Sequence, residues 1–598
     1  TLPSTLAVPT NGGTRTLAIR GYFHTNTAVS VRLDDVPMNK LNPGNSLEDL
    51  DGYDLDTLQT VELIRGPGSA MHGADAFHGV LSLQTLEPDR NGAILRTSLG
   101  SEEYGAASTS GRWGDGRQHV TASVAYRGIG DQDLAYPYTD PDTGQQEEGT
   151  RSNSLENTNL LLKYSVQPTA ATRLYANTYL FNLDADELPA LGRAIANQSF
   201  LKDLDHTQMN SETRLLKLGM EHQISGSNLL SVSGFGWQNS SQFYGDFRTT
   251  PIQIINDEQR DESRYGVQIL DRYRFSDSAH LALGFEYNES TMEKHITTQI
   301  DASGVMRQDN FRNPDTGYKR RLDSLIIDGR APLPWDSLEV VYGGRLDDYS
   351  DFDQQFSPRL GLLHTTHDQA VLKILYGHAY RAPNLSEMFG SEQLQPNFDL
   401  EAEEMDSLEL VYQKQTRHWF STLTLFRNWW SEAIRGAQVE EPMEGFLYQF
   451  RNTGRNEAQG VEAETQARWE QARLSLAASY VRSENVDSGE VFSAFPEWML
   501  DVGWGYRFSA QWDVYINNRL LLRDAASAPV IPGDPIEPAD DYFRTDLEVA
   551  WSPTDALITR AAVRNLFDRT NYLPSFLYHE SGIPDNGIGL TLALELQL

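Results

Sequence analysis

The chain contains no cysteine among its 598 residues. That excludes disulfides, thiolate metal sites and cysteine nucleophiles, and it suits a bacterial envelope protein. It also lacks any run approaching the roughly 18 apolar residues of a spanning helix, so a helical membrane protein is excluded. Positive charge is scarce: 49 Lys and Arg stand against 84 Asp and Glu, a formal net charge of −35. Nucleic acid is therefore not an expected partner, since phosphate binding needs a basic surface. The acidic excess reads as solvated loops. No Pro/Ser/Gly linker divides the chain after about residue 90. No signal peptide is visible, and Thr1 opens mid-pattern, which reads as a processed or trimmed end. No residue set matches G-x-S-x-G or H-E-x-x-H, so the expectation is a protein that is not an enzyme.

What the chain does have is a period of two. In its last stretch Ile588, Leu590, Leu592, Leu594, Leu596 and Leu598 alternate with Gly589, Thr591, Ala593, Glu595 and Gln597. Phe543, Thr545, Leu547, Val549 and Trp551 alternate in the same way with Arg544, Asp546, Glu548 and Ala550. One dry and one wet face per strand follows. From about Gly92 onward such segments are joined alternately by short turns and long polar connections. The turns include residues 114–117, 167–172, 225–228, 276–279, 366–369, 415–418 and 552–556. The long connections are Ile129–Glu156, Asp184–Asn210, Gln242–Glu262, Lys294–Gly317, Ala379–Glu401, Ser431–Asn452, Arg523–Asp541 and Asp568–Asn586. Gly, Asn, Asp and Pro in the short ones are turn chemistry. Strict alternation puts all turns at one end and all loops at the other, as in an outer-membrane barrel; the count is about 22 strands. Trp419, Trp429, Trp430, Trp469, Trp498, Trp504, Trp512 and Trp551 lie near strand ends and read as interfacial girdle residues or as ordinary packing.

The first 85 or so residues differ. They are Gly-rich, with short apolar strands at Leu17–Arg20, Val29–Leu33, Val61–Ile64 and Gly79–Leu83, and read as a small domain inside the barrel. The segment V-E-L-I-R-G-P-G-S-A-M-H-G-A-D-A-F-H-G-V-L-S-L-Q-T (61–85) resembles the plug signature of TonB-dependent outer-membrane receptors. L-A-I-R-G (17–21) and V-R-L-D-D-V-P (31–37) resemble the family's I-R-G and V-D-G-V-P elements. In the barrel, Y-R-A-P-N-L-S-E-M-F (380–389), R-N-T-G-R-N-E-A-Q-G-V-E-A-E (451–464) and V-R-N-L-F-D-R-T-N-Y (563–572) resemble three further family elements, in the family's order. The resemblance departs at His72 and His78, where the family carries Tyr and Gly, and at Leu598, where it usually ends in an aromatic. On this resemblance the chain is expected to open inside the plug, after the segment that would engage TonB and after the first plug strand.

The resemblance implies an all-β transmembrane fold: an antiparallel barrel of about 22 strands holding an N-terminal α+β plug, with the plug at 1–88 and the barrel at 89–598. It implies selective capture of a scarce nutrient and gated passage, powered by the TonB–ExbB–ExbD complex, in the outer membrane of a Gram-negative bacterium. The protein is expected to be a monomer in outer-membrane lipid, without a prosthetic group. The commonest cargo of the family is a ferric siderophore, chosen here on that ground; cobalamin is the alternative, then haem, and a saccharide stays open. A passive diffusion porin needs no plug, and a soluble all-β binding protein needs no apolar outer band.

Two plug arginines, Arg20 and Arg65, match family positions that pair with barrel glutamates, here Glu409 and Glu462. Glu409 shares an inward register with Ser407 and Val411, and Glu462 with Glu464. An unpaired arginine in a confined lumen costs several kcal/mol, and bidentate pairing fixes orientation. These four are expected to lock plug to barrel, the alternative being lumen charges that meet only water. The ligand pocket is expected between the plug loops Tyr22–Thr27 and Pro37–Asn45 and the external loops. Tyr22, Phe23 and His24 offer flat faces for an aromatic chelate, or simply pack as loop residues, and Tyr380 and Arg381 are barrel candidates, Arg381 alternatively as an organiser of its loop. Residues 384–394 lack the histidine found there in haem receptors, which lowers haem. Met71, His72 and His78 could suggest a soft-metal site such as copper, but their spacing is not diagnostic and they lie in what is normally a packed plug segment. Asp131, Asp133, Asp140 and Asp142, with Glu147 and Glu148, are calcium candidates in a loop that reads first as solvated and acidic.

Overall fold

The computed structural model describes the chain except residues 1, 10–14, 22–27, 43–48, 74, 89, 131–133, 140–144, 189–206, 249–252, 302–305, 309–313, 336, 391–393, 440–447, 490, 492–494, 523–540 and 574–582. Its main sheet joins 24 strands; two of these, Leu134–Thr139 and Met306–Gln308, only extend a neighbour, and the other 22 close into an antiparallel barrel. The closure is made by the last strand on the first, from Thr591↔Gly100 to Gln597↔Ile94. The terminal alternation explains it: Leu590, Leu592 and Leu594 are exposed on the outer face, while Glu595 turns inward and is buried. Among the described residues no helix is long and apolar enough to cross a membrane. The strands do the crossing, and closure leaves no unpaired edge in lipid.

Two expectations about the connections are corrected. Alternation of short and long is not strict: on the loop side, Gly100 to Gly105 and Tyr349 to Gln355 are also short. Several long connections are strand for much of their length. Asn228–Arg248, Gln253–Arg274 and His280–Asp301 run 21, 22 and 22 residues, about 70 Å each at 3.3 Å per residue, against an apolar band about 25 Å tall. Beyond the band both faces of a strand are wet, so the alternation that marks a strand in sequence disappears while the hydrogen-bonded ladder continues.

Inside the barrel, the plug carries a four-stranded sheet in which Val36–Pro37, Val29–Leu33, Gly79–Thr85 and Leu58–Arg65 lie side by side. A hairpin of Thr5–Pro9 and Arg15–Ile19 stands beside it. The plug's sheet ends at Thr85 and the first barrel strand starts at Gly92. Among its described residues the one α-helical turn is Ser69–His72. Apolar residues of this sheet (Val31, Leu33, Leu81, Leu83) pack against inward-facing Leu161, Tyr179, Phe181 and Trp237 of the barrel. The Trp237 indole N–H donates to the Pro37 carbonyl at 2.9 Å. Each such side chain, fully buried, contributes about 1.5–3 kcal/mol, so on this side the wall belongs to the plug's core.

Candidate functional site

Arg20 follows the strand Arg15–Ile19 at φ 52°, and Gly21 follows at φ 83°. That turn sends the guanidinium into the wall, where it donates to Glu462 through Nε (3.0 Å) and Nη2 (3.1 Å) and to Glu409 through Nη1 (2.6 Å). Its carbon sits 4.3 Å from the centre of the Phe426 ring. Burial works against the charge, but Glu409 and Glu462 outweigh it and hold the guanidinium pKa above its ordinary value. Gly66, at φ +85°, is required here: a Cβ would lie 2.9 Å from Glu409 Oε1 and 3.0 Å from Arg20 Nη1. Arg65 stands beside the cluster, with Nη1 donating to the Pro3 carbonyl at 2.9 Å and lying 3.6 Å from Glu462 Oε2. Its direct carboxylate partner is Glu464. The structure therefore gathers the four expected residues and adds Glu464, which shares the inward face of the strand Asn456–Arg468 with Glu462.

The two barrel residues of the Y-R-A-P element stand elsewhere than expected for direct ligand contacts. Tyr380 is 0% and Arg381 1% exposed. The Tyr380 hydroxyl donates to Asp347 Oδ2 at 2.7 Å, and Arg381 donates to Glu403 (2.7 Å) and bidentately to Glu387 (2.8 and 2.9 Å). These pairs tie Tyr380 and Arg381 to the wall and to their own loop, an arrangement that suits organisers of that loop. The sequence explains the arrangement. Asn384 caps the short helix Leu385–Phe389, and Glu387 returns the bond to the Asn384 backbone, a capping box, while also holding Arg381. Glu403 accepts from the Ile434 N–H at 2.6 Å, tying in the next external loop.

A second junction had no sequence signal. Plug residues Leu41 and Asn42 donate their N–H groups to Glu262 (2.7 and 3.2 Å). The Asn42 amide donates to Asp315 at 3.0 Å, and its carbonyl accepts from Arg260 at 2.8 Å. His295 bridges Asp315 and Glu258, 2.8 Å to each. Leu41 packs with Leu385, Met388 and Leu400, so the external loop behind Arg381 rests on the plug. Beneath lies a cavity of about 70 Å³ between Lys40, His72 and Asp75 of the plug and Arg264, Glu286, Arg320 and Arg345 of the wall. Burial, reinforced by Arg32, pushes His72 down to about 3, and burial raises the Asp75 carboxyl. A cavity of that size holds a few waters.

Tyr22, Phe23 and His24, the calcium candidates Asp131, Asp133, Asp140 and Asp142, and the plug loop beyond Asn42 all fall outside the described residues. His78 is buried and lies beside the Phe77 and Trp430 rings. Among the described residues no group of three or more His, Asp or Glu is placed to hold a metal ion.

The profile of the family described as TonB dependent receptor-like, beta-barrel matches residues 148–566, and that of the TonB-dependent Receptor Plug Domain matches residues 2–80. The chain belongs to the TonB-dependent receptor family. Its place is the outer membrane of Gram-negative bacteria, and the family consists of receptors and transporters whose dependence on TonB is exercised through the plug. This receptor is 21% identical to the ferric enterobactin receptor PirA of Pseudomonas aeruginosa, over 94% of this chain and 82% of that protein. It is 22% identical to the ferrienterobactin receptor of Escherichia coli, over 93% and 82%. The structure of the siderophore receptor PirA from Acinetobacter baumannii superposes with a TM-score of 0.77 at 17% identity, covering 100% of this chain and 95% of that one. The copper transporter OprC superposes as well, at 0.78 and 15% identity, covering 100% and 95%. At these identities the superpositions establish the fold of the receptor.

Proposed function

We propose that this receptor captures a ferric siderophore at the outer end of its plug and imports it when TonB, energised by ExbB–ExbD, disturbs the plug. The observation that carries the siderophore reading is the likeness, over more than nine-tenths of the chain, to relatives named as ferric enterobactin receptors. A plug that fills the lumen supports active uptake over passive diffusion. Arg20, Arg65, Glu409 and Glu462, with Glu464, serve as the lock: charge-assisted, partly bidentate bonds in a desolvated site are strong and orientation-specific. Capture falls to the external loops and the plug apex, where Tyr22, Phe23 and His24 remain proposed contacts. Asp131, Asp133, Asp140 and Asp142 of the acidic loop 130–148 remain the proposed ligands for calcium. The receptor acts as a monomer in outer-membrane lipid.

Tryptophan fluorescence of the detergent-purified protein, titrated with ferric siderophores, cobalamin and haem, tests the cargo. Saturable sub-micromolar quenching by one ferric chelate and not by its iron-free form is expected. Tight binding of cobalamin or haem alone would overturn the reading.

A further inference from the structure

The plug is not held alike all round. Against the strands Glu403–Gln415 and Asn456–Arg468 it is bolted by the buried Arg20 pairs, whose side chains are 4% and 2% exposed at Arg20 and Glu462. Against Gln146–Thr169 through Asn228–Arg248 it shares an apolar core. Where the barrel closes on itself, the plug turn Leu55–Thr57 faces the strands Gly92–Gly100, Gly105–Gly114, Leu557–Arg564 and Gly589–Gln597 across a cavity of about 440 Å³. This is several times the volume of the cavity beside His72.

Among the described residues, polar contacts cross this seam near its middle. Asp56 accepts from Arg96 Nη1 at 3.1 Å and from the Ser108 hydroxyl at 2.5 Å. Arg96 Nε donates to Glu595 at 3.1 Å, and Arg560 reaches the same carboxylate at 3.3 Å. The Arg96 and Asp56 side chains are 33% and 36% exposed. Ion pairs reached by water are the weakest kind, and here each carboxylate has a second cation or hydroxyl nearby to exchange with. The cavity extends toward the loop end, where Tyr104 and Arg127 line it. Its inner limit is the Arg96 bridge.

We propose that cargo leaves the lumen along this seam, with Arg96 as the latch: its release from Asp56, while it stays on Glu595, frees the plug turn Leu55–Thr57. Walls of alternating arginine and carboxylate suit a hydrated, anionic chelate: arginines take up its negative groups while the wall carboxylates keep it from binding too tightly to leave. This rests on the uptake reading above.

The absence of native cysteine makes a direct test clean. One variant carries Asp56→Cys with Ser108→Cys across the seam. A second carries Asp34→Cys with Asn177→Cys on the shared-core side, where the Asn177 amide donates to Asp34 at 3.3 Å. Each pair is closed by oxidation, or by a short bis-methanethiosulfonate, and closure is verified by thiol titration. Both bridged proteins are expected to bind the ferric chelate like the parent. Bridging the seam is expected to lower uptake into cells at least tenfold, reversibly with reductant, and bridging Asp34–Asn177 to leave it within twofold. Transport through a bridged seam, or equal block by both bridges, would overturn the proposal.

If no chelate binds even the unbridged protein, the siderophore reading has failed, and the seam is judged without ligand. Arg96→Ala is then expected to raise ion conductance in planar bilayers, and adding the Asp56/Ser108 bridge to remove the increase. Conductance unchanged by Arg96→Ala would overturn the proposal independently of cargo.

Discussion

At the scale of residues, the buried Arg20 cluster carries the sharpest consequences. Glu462 takes two of the three carboxylate bonds of Arg20. Glu462→Ala leaves a buried guanidinium with Glu409 alone and is expected to weaken plug docking by about 3 kcal/mol, read as a lower urea midpoint for the plug's fluorescence transition while the barrel transition stays put. Gly66→Ala is expected to disturb the same cluster, because the added methyl meets both Glu409 and Arg20 and the backbone there is left-handed. His72 sets a pH dependence. With its pKa near 3 in the fold and about 6.5 unfolded, the unfolded chain binds the extra proton between those values, so plug stability is lost as pH falls below about 6.5. His72→Gln is expected to flatten urea midpoints measured from pH 7 to pH 4; an unchanged slope would contradict the assignment. Much of this cluster was legible in the sequence: the family resemblance implied the pairing with Arg20 and Arg65, and strand parity turns Glu409 and Glu462 inward. That Arg65 takes Glu464 was not, because parity cannot choose between two carboxylates on one face.

At the scale of elements, the segment R-A-P-N-L-S-E is a small machine for fixing a loop. One carboxylate, Glu387, both completes the helix cap and holds Arg381, so a single change acts twice. Glu387→Gln is expected to loosen the external loop that rests on Leu41, lowering ligand affinity roughly tenfold while the barrel's thermal midpoint moves by less than about 2 °C, in line with a local unfolding unit. Equal losses in both would show that the loop is part of the barrel's global stability instead. The capping residues were visible in sequence, but their burial was not: Tyr380 and Arg381 look like ligand groups until the partners Asp347, Glu387 and Glu403, supplied by separate segments, are seen around them. The outer hairpins read as loops in sequence for a related reason. Alternation reports a difference between two faces, and outside the membrane that difference vanishes although the ladder persists.

At the scale of the whole molecule, the barrel's closure and approximate strand number follow from local rules of period and turn. How the plug sits does not. The inward apolar patch of Leu161, Tyr179, Phe181 and Trp237, the Asn42–Asp315–His295 junction and the polar seam each join segments far apart in sequence, with no spacing to reveal them. Together they describe a plug seated on one side by a shared core, bolted on another by buried charge and loosely closed along the seam. Such a molecule should pass nothing at rest and should work only when pulled. The most direct measurement is uptake of a radio-iron-labelled chelate, the one selected by fluorescence titration, into cells carrying the receptor, with and without TonB. Saturable accumulation that disappears without TonB, while surface binding of the chelate persists, is expected. Accumulation that continues without TonB and rises linearly with concentration would contradict the account and make the protein a diffusion pore.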